Sequence, residues 1–141
     1  MNYLIMDEKY LFKIIVAAAI FNSDKKVLLA KRSMTEDVLP GYWGIPGGKV
    51  ESRGNISDIL EHEIKREVKE EVGIEINNLK YIESHLNESG KLNICFVCNA
   101  GKGKPKISDE VEEVGWFTLE QVKSMDLTPH TLERLKLAFS L

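Results

Sequence analysis

The feature that most constrains the fold is a stretch in which apolar residues recur at every fourth position. Leu60, Ile64, Val68 and Val72 would form one stripe along a helix over residues 56–72. Gly73 follows at once and is the kind of residue that ends a helix. Such a helix buries its stripe against another layer, so the rest of the chain must supply that layer.

Strand patterns precede and follow this helix. Residues 12–22 form a continuous apolar run, residues 23–26 are a turn signal, and a second strand begins at Val27. A further strand is predicted to end near Ile45, because Pro46-Gly47-Gly48 is expected to open into a tight loop. The remaining predicted elements are strands over 74–87, over 91–100 and near Val114, and helices over 118–124 and 129–139. Together they predict an α/β fold, with a mixed sheet sandwiched between helices.

Composition indicates one ordinary globular domain over residues 1–141. Hydrophobic residues make up 43% and charged residues 29%, and no low-complexity tract or repeat suggests disorder or a solenoid. The net charge of −3 excludes a general attraction to nucleic acid or anionic membrane, so any phosphate binding must be local. The apolar run from Ile14 to Phe21 is too short to span a bilayer and lacks a basic leader, so we expect a cytoplasmic protein.

The two cysteines, Cys95 and Cys98, form a C-x-x-C pair within a predicted strand. Residues three apart on a strand point to opposite faces, which makes a shared metal or a disulfide geometrically awkward. We predict buried, inert thiols.

Acidic residues share one face of the predicted helix. Glu67, Glu70 and Glu71 stand at i, i+3 and i+4, and Glu63 extends the face by one turn. A solvated acidic face is the ordinary alternative. Carboxylates on a rigid element also suit Mg²⁺ or Mn²⁺, and the neighbouring glycines can bring a backbone carbonyl close. Divalent ions there would neutralise a diphosphate and activate a water, so the pattern predicts hydrolysis of phosphoanhydrides.

These residues carry a resemblance to the Nudix hydrolases, MutT-like proteins with the signature G-x5-E-x7-R-E-U-x-E-E-x-G-U, where U is aliphatic. REVKEEVGI, from Arg66 to Ile74, matches every specified place of its second half, and WGIPGGKVE, from Trp43 to Glu51, is similar to its first half. The LLAKR segment and a late E-x5-W-F segment extend the resemblance over most of the chain. It implies an α/β/α sandwich with a loop–helix–loop catalytic segment. It also implies metal-dependent hydrolysis of a diphosphate linkage in a nucleoside diphosphate derivative, such as a nucleoside triphosphate or a nucleotide sugar.

The sequence departs from the signature between the glycines and the helix. Counting back from Arg66, the place of the first glutamate falls on Asp58, ten residues after Gly48 instead of six. We infer a four-residue insertion and a Glu-to-Asp change. In the family this residue supports the arginine and the loop, so Asp58 is expected to pair with Arg66, a solvated aspartate being the alternative.

The resemblance also implies roles for individual residues. Arg66 would orient the glutamates, and a downstream glutamate, Glu110 in preference to Glu112 or Glu113, would assist catalysis. Arg32 and Trp43 are candidates for substrate binding, although a solvated strand end and core packing are equally open for them. The catalytic Mg²⁺ or Mn²⁺ would be bound by Glu67, Glu70, Glu71 and the carbonyl of Gly47.

The expected partner is a nucleotide-like small-molecule substrate. We expect no stable binding to nucleic acid and no association with a membrane, and the protein is expected to be a monomer or a homodimer. His62, His85 and His130 show no ligand spacing and are assigned no function. A Nudix-fold module that senses nucleotides without turnover is the main alternative, and a structural protein with a solvated acidic helix is the other. Which nucleotide derivative is the substrate stays open.

Overall fold

The long apolar run forms the centre of a mixed sheet. The structure, a computed structural model, describes residues 12–141. Its strands are β1 Lys13–Phe21, β2 Val27–Arg32, β3 Trp43–Gly44, β4 Gly47–Lys49, β5 Ile76–Leu86, β6 Lys91–Ala100 and β7 Val111–Phe117. Its helices are α1 Ile59–Val72, α2 Leu119–Val122 and α3 Thr131–Phe139.

Strand β1 pairs with three other strands. It runs parallel to β6 along its whole length, from Lys13 opposite Lys91 to Phe21 opposite Asn99, and β5 lies antiparallel on the far side of β6. Its last residue pairs with the start of β2, while residues 15–17 pair with β4. Strand β2 in turn pairs with β3 and β7. The mixed sheet predicted from the sequence is confirmed.

Alternate residues of β1 supply two hydrophobic cores, one on each face of the sheet. On one face, Val16, Ala18 and Ile20 pack with the apolar stripe of α1. On the other face, Ala19 packs with buried residues of β2, α2 and α3, including Leu135. The helices therefore lie on both sides of the sheet, as the sandwich prediction requires. Among the described residues, no helix has the length and apolarity needed to cross a membrane.

Two of the differences between the predicted and observed elements concern β4 and the start of α1. Gly47–Lys49 forms the short strand β4, where a loop was expected. A Cβ at Gly47 would collide with the carbonyl oxygen of Val16, so the glycine is what lets this segment lie against β1. Helix α1 begins at Ile59, because Asp58 adopts a left-handed conformation with φ of 51° and ends the preceding loop. Gly73 ends the helix as predicted.

Both cysteines are buried and free, with 0% of Cys95 and 3% of Cys98 exposed. Burial raises the pKa of each thiol to about 12, so neither forms a thiolate at neutral pH. The prediction of buried, inert thiols is confirmed.

Candidate active site

A cleft of about 950 Å³ opens where β4 lies between β1 and the exposed face of α1. Its lining contains most of the residues singled out from the sequence: Arg32, Gly47, Arg66, Glu67, Glu70, Glu71 and Glu110. The acidic face of α1 and the glycine strand therefore border the same space, although residues 48 and 67 lie far apart in the chain.

Arg66 is the centre of a network of ion pairs on α1. Its Nε donates to Glu63 at 2.6 Å, its Nη2 to Glu67 at 2.9 Å and its Nη1 to Glu70 at 3.0 Å. The planar guanidinium can hold three carboxylates at once because its donors point in different directions. This network raises the pKa of Arg66 and offsets the repulsion among the glutamates.

Glu71 points away from this network and towards β4. Its Oε2 accepts a hydrogen bond from the backbone N–H of Gly47 at 3.3 Å. Burial, reinforced by the nearby charges of Glu110 and Glu67, raises the pKa of Glu71 to about 7. Burial likewise raises the pKa of Glu67. The cleft therefore concentrates negative charge in a place where carboxylates are poorly solvated.

Gly48 lies directly against one of these carboxylates. A Cβ at this position would collide with the carboxylate of Glu67, so only glycine leaves that side chain in place. The close approach of β4 to α1 thus depends on Gly48, whereas its close approach to β1 depends on Gly47.

The donors of this cleft fit a hard divalent cation, since buried carboxylates that repel one another favour a cation among them. Within residues 12–141, however, no three His, Cys, Asp or Glu side chains converge as they would around a metal. The reason is visible in the contacts: Glu67 and Glu70 turn to Arg66, while Glu71 turns to Gly47. The structure gathers the predicted ligands in one cleft but leaves their carboxylates on separate partners.

Arg32 and Glu110 border the part of the cleft next to Glu71. Arg32 is steadied by donation from its Nε to the carbonyl of Val38 at 2.8 Å and by Glu36 at 3.7 Å. Of the three downstream glutamates, only Glu110 lines the cleft among the described residues. Glu113 lies 4.0 Å from Lys31 instead.

Trp43 lies outside the lining of the cleft. Its ring packs edge-on against Phe117, with centroids 5.3 Å apart, in the core cluster that includes α3. Its backbone also binds Asp126 and Thr128 at 2.8 Å each. Because its apolar ring completes that core, the candidate role in substrate binding finds no support in this geometry.

The expected pairing of Asp58 with Arg66 is wrong. Asp58 is exposed, and its side chain does not cap α1. The described ion pairs of Arg66 are instead with Glu63, Glu67 and Glu70. Glu63 occupies the place expected of Asp58, because it contacts both Arg66 and the loop that follows β4. The sequence signal that marks Glu63 is its position beside Ile64, at the border of the apolar stripe.

Two histidines also line the cleft. The rings of His85 and His130 stack with centroids 4.1 Å apart, and His130 Nε2 lies 3.3 Å from Glu83. Arg134 donates to the same glutamate at 3.0 Å, which ties α3 to β5. No sequence pattern singles out this pair, because its two members come from distant elements. Both line the cleft, together with Lys91 and Asn93.

Comparison with known proteins agrees with this arrangement. The family model described as NUDIX domain matches residues 11–138. The nucleoside triphosphatase NudI of Escherichia coli is 26% identical over 132 residues, covering 86% of this chain and 94% of that protein. The MutT protein structure from Methanosarcina mazei is 28% identical with a TM-score of 0.68, covering 92% of this chain and 93% of that one. The NUDIX domain of Shewanella oneidensis NrtR, solved in complex with ADP ribose, shares the fold with a TM-score of 0.78. It is 23% identical, and the match covers 96% of this chain and 92% of that one. The chain therefore belongs to the NUDIX domain family and is a MutT-like Nudix hydrolase.

Proposed function

We propose that this protein hydrolyses a diphosphate linkage in a nucleoside triphosphate or a nucleotide sugar, with Mg²⁺ or Mn²⁺ as the cofactor. The observation that carries the proposal is the partly buried Glu71, held by the N–H of Gly47 and facing the charges of Glu110 and Glu67 in one cleft. Such a concentration of carboxylates binds a divalent cation, and a diphosphate brings the negative oxygens that complete its coordination.

In this proposal Glu67, Glu70, Glu71 and the carbonyl of Gly47 hold the cation. The bound cation would neutralise the diphosphate and lower the pKa of a coordinated water. Arg66 orients Glu67 and Glu70, since its guanidinium already contacts both. Such a supporting role keeps the carboxylates in a fixed geometry, which catalysis requires.

Glu110 is the candidate for accepting the proton of the attacking water. It borders the same small part of the cleft as Glu71, whereas Glu112 does not line it. Water adds to one phosphorus, the bond from that phosphorus to the bridging oxygen breaks, and the substrate leaves as two phosphorylated fragments. Arg32, on the same wall, supplies a fixed positive charge for the phosphate oxygens.

Two observations support a nucleotide derivative as the substrate. The relatives include a protein named a nucleoside triphosphatase and another named MutT. The cleft, at about 950 Å³, has room for more than a diphosphate, and His85 and His130 line it together with the carboxylates. A sensing module that binds nucleotides without turnover is the less favoured alternative, since Glu67, Glu70 and Glu71 are all present.

The test is the release of phosphate and pyrophosphate from nucleoside triphosphates, nucleotide sugars and dinucleoside polyphosphates, with Mg²⁺, Mn²⁺ or EDTA. We expect metal-dependent turnover of one substrate class by the wild type. Glu70→Gln should lower kcat more than about 10-fold, because even groups that only support metal ligands contribute about 10- to 100-fold. The panel also identifies the substrate class.

Glu133→Gln is the matched control, because Glu133 is exposed on α3 and outside the cleft. It should retain wild-type turnover. Binding of nucleotides without turnover of any compound would contradict the proposal and favour the sensing module. Turnover that persists in EDTA would contradict the role of the cation.

A further inference from the structure

A glutamate on α1 is buried completely, although the roles proposed above do not use it. Glu63 has 0% of its surface exposed, and it is among the largest fully buried side chains of the described residues. A buried carboxylate is costly unless hydrogen bonds or an opposite charge compensate it. The hydrogen-bond partners of Glu63 therefore indicate its role.

Both oxygens of Glu63 are engaged, each by a different part of the site. Oε1 accepts the backbone N–H of Ser52 at 2.6 Å and that of Glu51 at 3.1 Å. Oε2 accepts Nε of Arg66 at 2.6 Å. Burial by itself would raise the pKa of Glu63, but the hydrogen bonds from Ser52 and Arg66 outweigh burial and lower it to about 2. Glu63 is therefore ionised throughout the physiological range.

These contacts join the loop after β4 to the arginine of the carboxylate network. The loop begins at Val50, two residues after Gly48, so it continues from the strand whose glycines approach Glu67 and Glu71. On the other side, accepting Nε fixes the plane of the Arg66 guanidinium. In that plane Nη2 and Nη1 remain free to donate to Glu67 and Glu70.

We propose that Glu63 is the positioning residue for the catalytic carboxylates, and that it performs from within α1 the supporting task that the signature gives to a glutamate before the helix. It holds the loop through the amides of Glu51 and Ser52, and it holds Arg66 through Nε. Asp58, where counting along the signature places this glutamate, is exposed and does neither among the described contacts. The inference rests on the proposed function only for its effect on turnover.

Glu63→Gln is the variant that separates positioning from packing. Glutamine keeps the volume and can still accept the amide of Ser52 through its carbonyl. Its NH₂ group would then face Nε–H of Arg66, which places two donors together and releases the guanidinium. We expect kcat to fall about 10- to 100-fold with KM changed little, because supporting groups of metal ligands contribute that much.

Mn²⁺ binding to the metal-free protein, followed by electron paramagnetic resonance without substrate, gives a readout that does not depend on turnover. Glu63→Gln should weaken Mn²⁺ binding by about 10-fold or more. Asp58→Asn is the matched control, because asparagine tolerates the left-handed backbone at this position. Glu61→Gln, on the same helix, is a second control. Both should stay within about twofold of the wild type.

A folded Glu63→Gln with wild-type kcat and Mn²⁺ affinity would overturn the inference, as would a loss seen in Asp58→Asn instead. If the wild type binds Mn²⁺ but turns over no substrate, the proposed function fails while the Mn²⁺ comparison still decides the role of Glu63. If the variant does not fold, nuclear magnetic resonance of the metal-free wild type decides the geometry. The Ser52 amide and Arg66 Nε–H should exchange slowly with solvent, and exchange as fast as at exposed sites would contradict the proposal.

Discussion

At the scale of single residues, the site depends on two adjacent glycines at which an added Cβ would collide with neighbouring atoms. The atoms that an added Cβ would meet belong to a side chain at one position and to the backbone at the other. A Cβ at Gly48 meets the end of the Glu67 side chain, whereas a Cβ at Gly47 meets the backbone of Val16 and Ala17. A side-chain end can rotate away, but two paired strands cannot separate without losing hydrogen bonds. The same substitution should therefore have different consequences at adjacent positions.

Gly48→Ala should lower kcat by about 10-fold or more while the protein stays folded, because Glu67 must leave its place to accommodate the methyl group. Gly47→Ala should instead lower the free energy of unfolding, by about 1–3 kcal/mol, as expected for an overpacked contact. Turnover and urea unfolding of both variants test the contrast. A Gly48→Ala protein with full activity would show that Glu67 is not needed where the structure places it.

At the scale of elements, α1 joins the hydrophobic core to the active site. Its buried stripe of Ile64, Val68 and Val72 packs on the sheet, and the face bordering this stripe carries Glu67 and Glu71, which line the cleft. The position of these carboxylates relative to β4 is therefore set by the packing of the adjacent stripe. Stability and catalysis are coupled through this one element.

Ile64→Ala should lower the free energy of unfolding by about 2–5 kcal/mol, because Ile64 is fully buried and its removal leaves a cavity in the α1 core. Lys65→Ala is the matched control, because Lys65 is the next residue in the chain and is exposed. This substitution should change the free energy of unfolding by less than about 0.5 kcal/mol. Urea denaturation measures both. Equal effects at the two positions would contradict the described orientation of α1.

At the scale of the whole molecule, the fully buried Glu63 and the partly buried Glu71 make stability depend on pH in opposite directions. The pKa of Glu71 is raised to about 7, so its ionisation opposes folding, and that penalty disappears as pH falls from about 7 to 4.5. The pKa of Glu63 is lowered to about 2, so its contribution is fully present above pH 4.5 and is lost as pH falls from 4.5 towards 2. The two effects occupy separate pH ranges.

The metal-free protein should therefore gain stability from Glu71 between pH 7 and 4.5. Urea unfolding in EDTA, of the wild type and of Glu71→Gln, measures this gain as a difference. The wild type should gain relative to the variant across this range as the carboxyl takes up a proton. A difference that does not change with pH would contradict the raised pKa of Glu71.

Much of the fold was predictable because it is encoded in local patterns. The spacing of Leu60, Ile64, Val68 and Val72 predicted α1, and the apolar run at residues 12–22 predicted the central strand. Strand β4 was missed because it is held by pairing with β1, and no alternation within Gly47–Lys49 announces that pairing. The roles assigned to the individual site residues stay predictions, now with a geometry from which to test them.

Local sequence patterns were enough to predict which residues share a face, where α1 ends, and that Glu67, Glu70 and Glu71 stand on one face of the helix. These properties follow from helix periodicity and from the conformational freedom of Gly73, and they need no distant contact. Contacts between distant segments, in contrast, are what make Trp43 pack in the core, leave Asp58 exposed and bring Glu63 to the loop at Ser52. The reason is that burial depends on which segments meet across the fold, and those contacts join residues that local periodicity cannot relate.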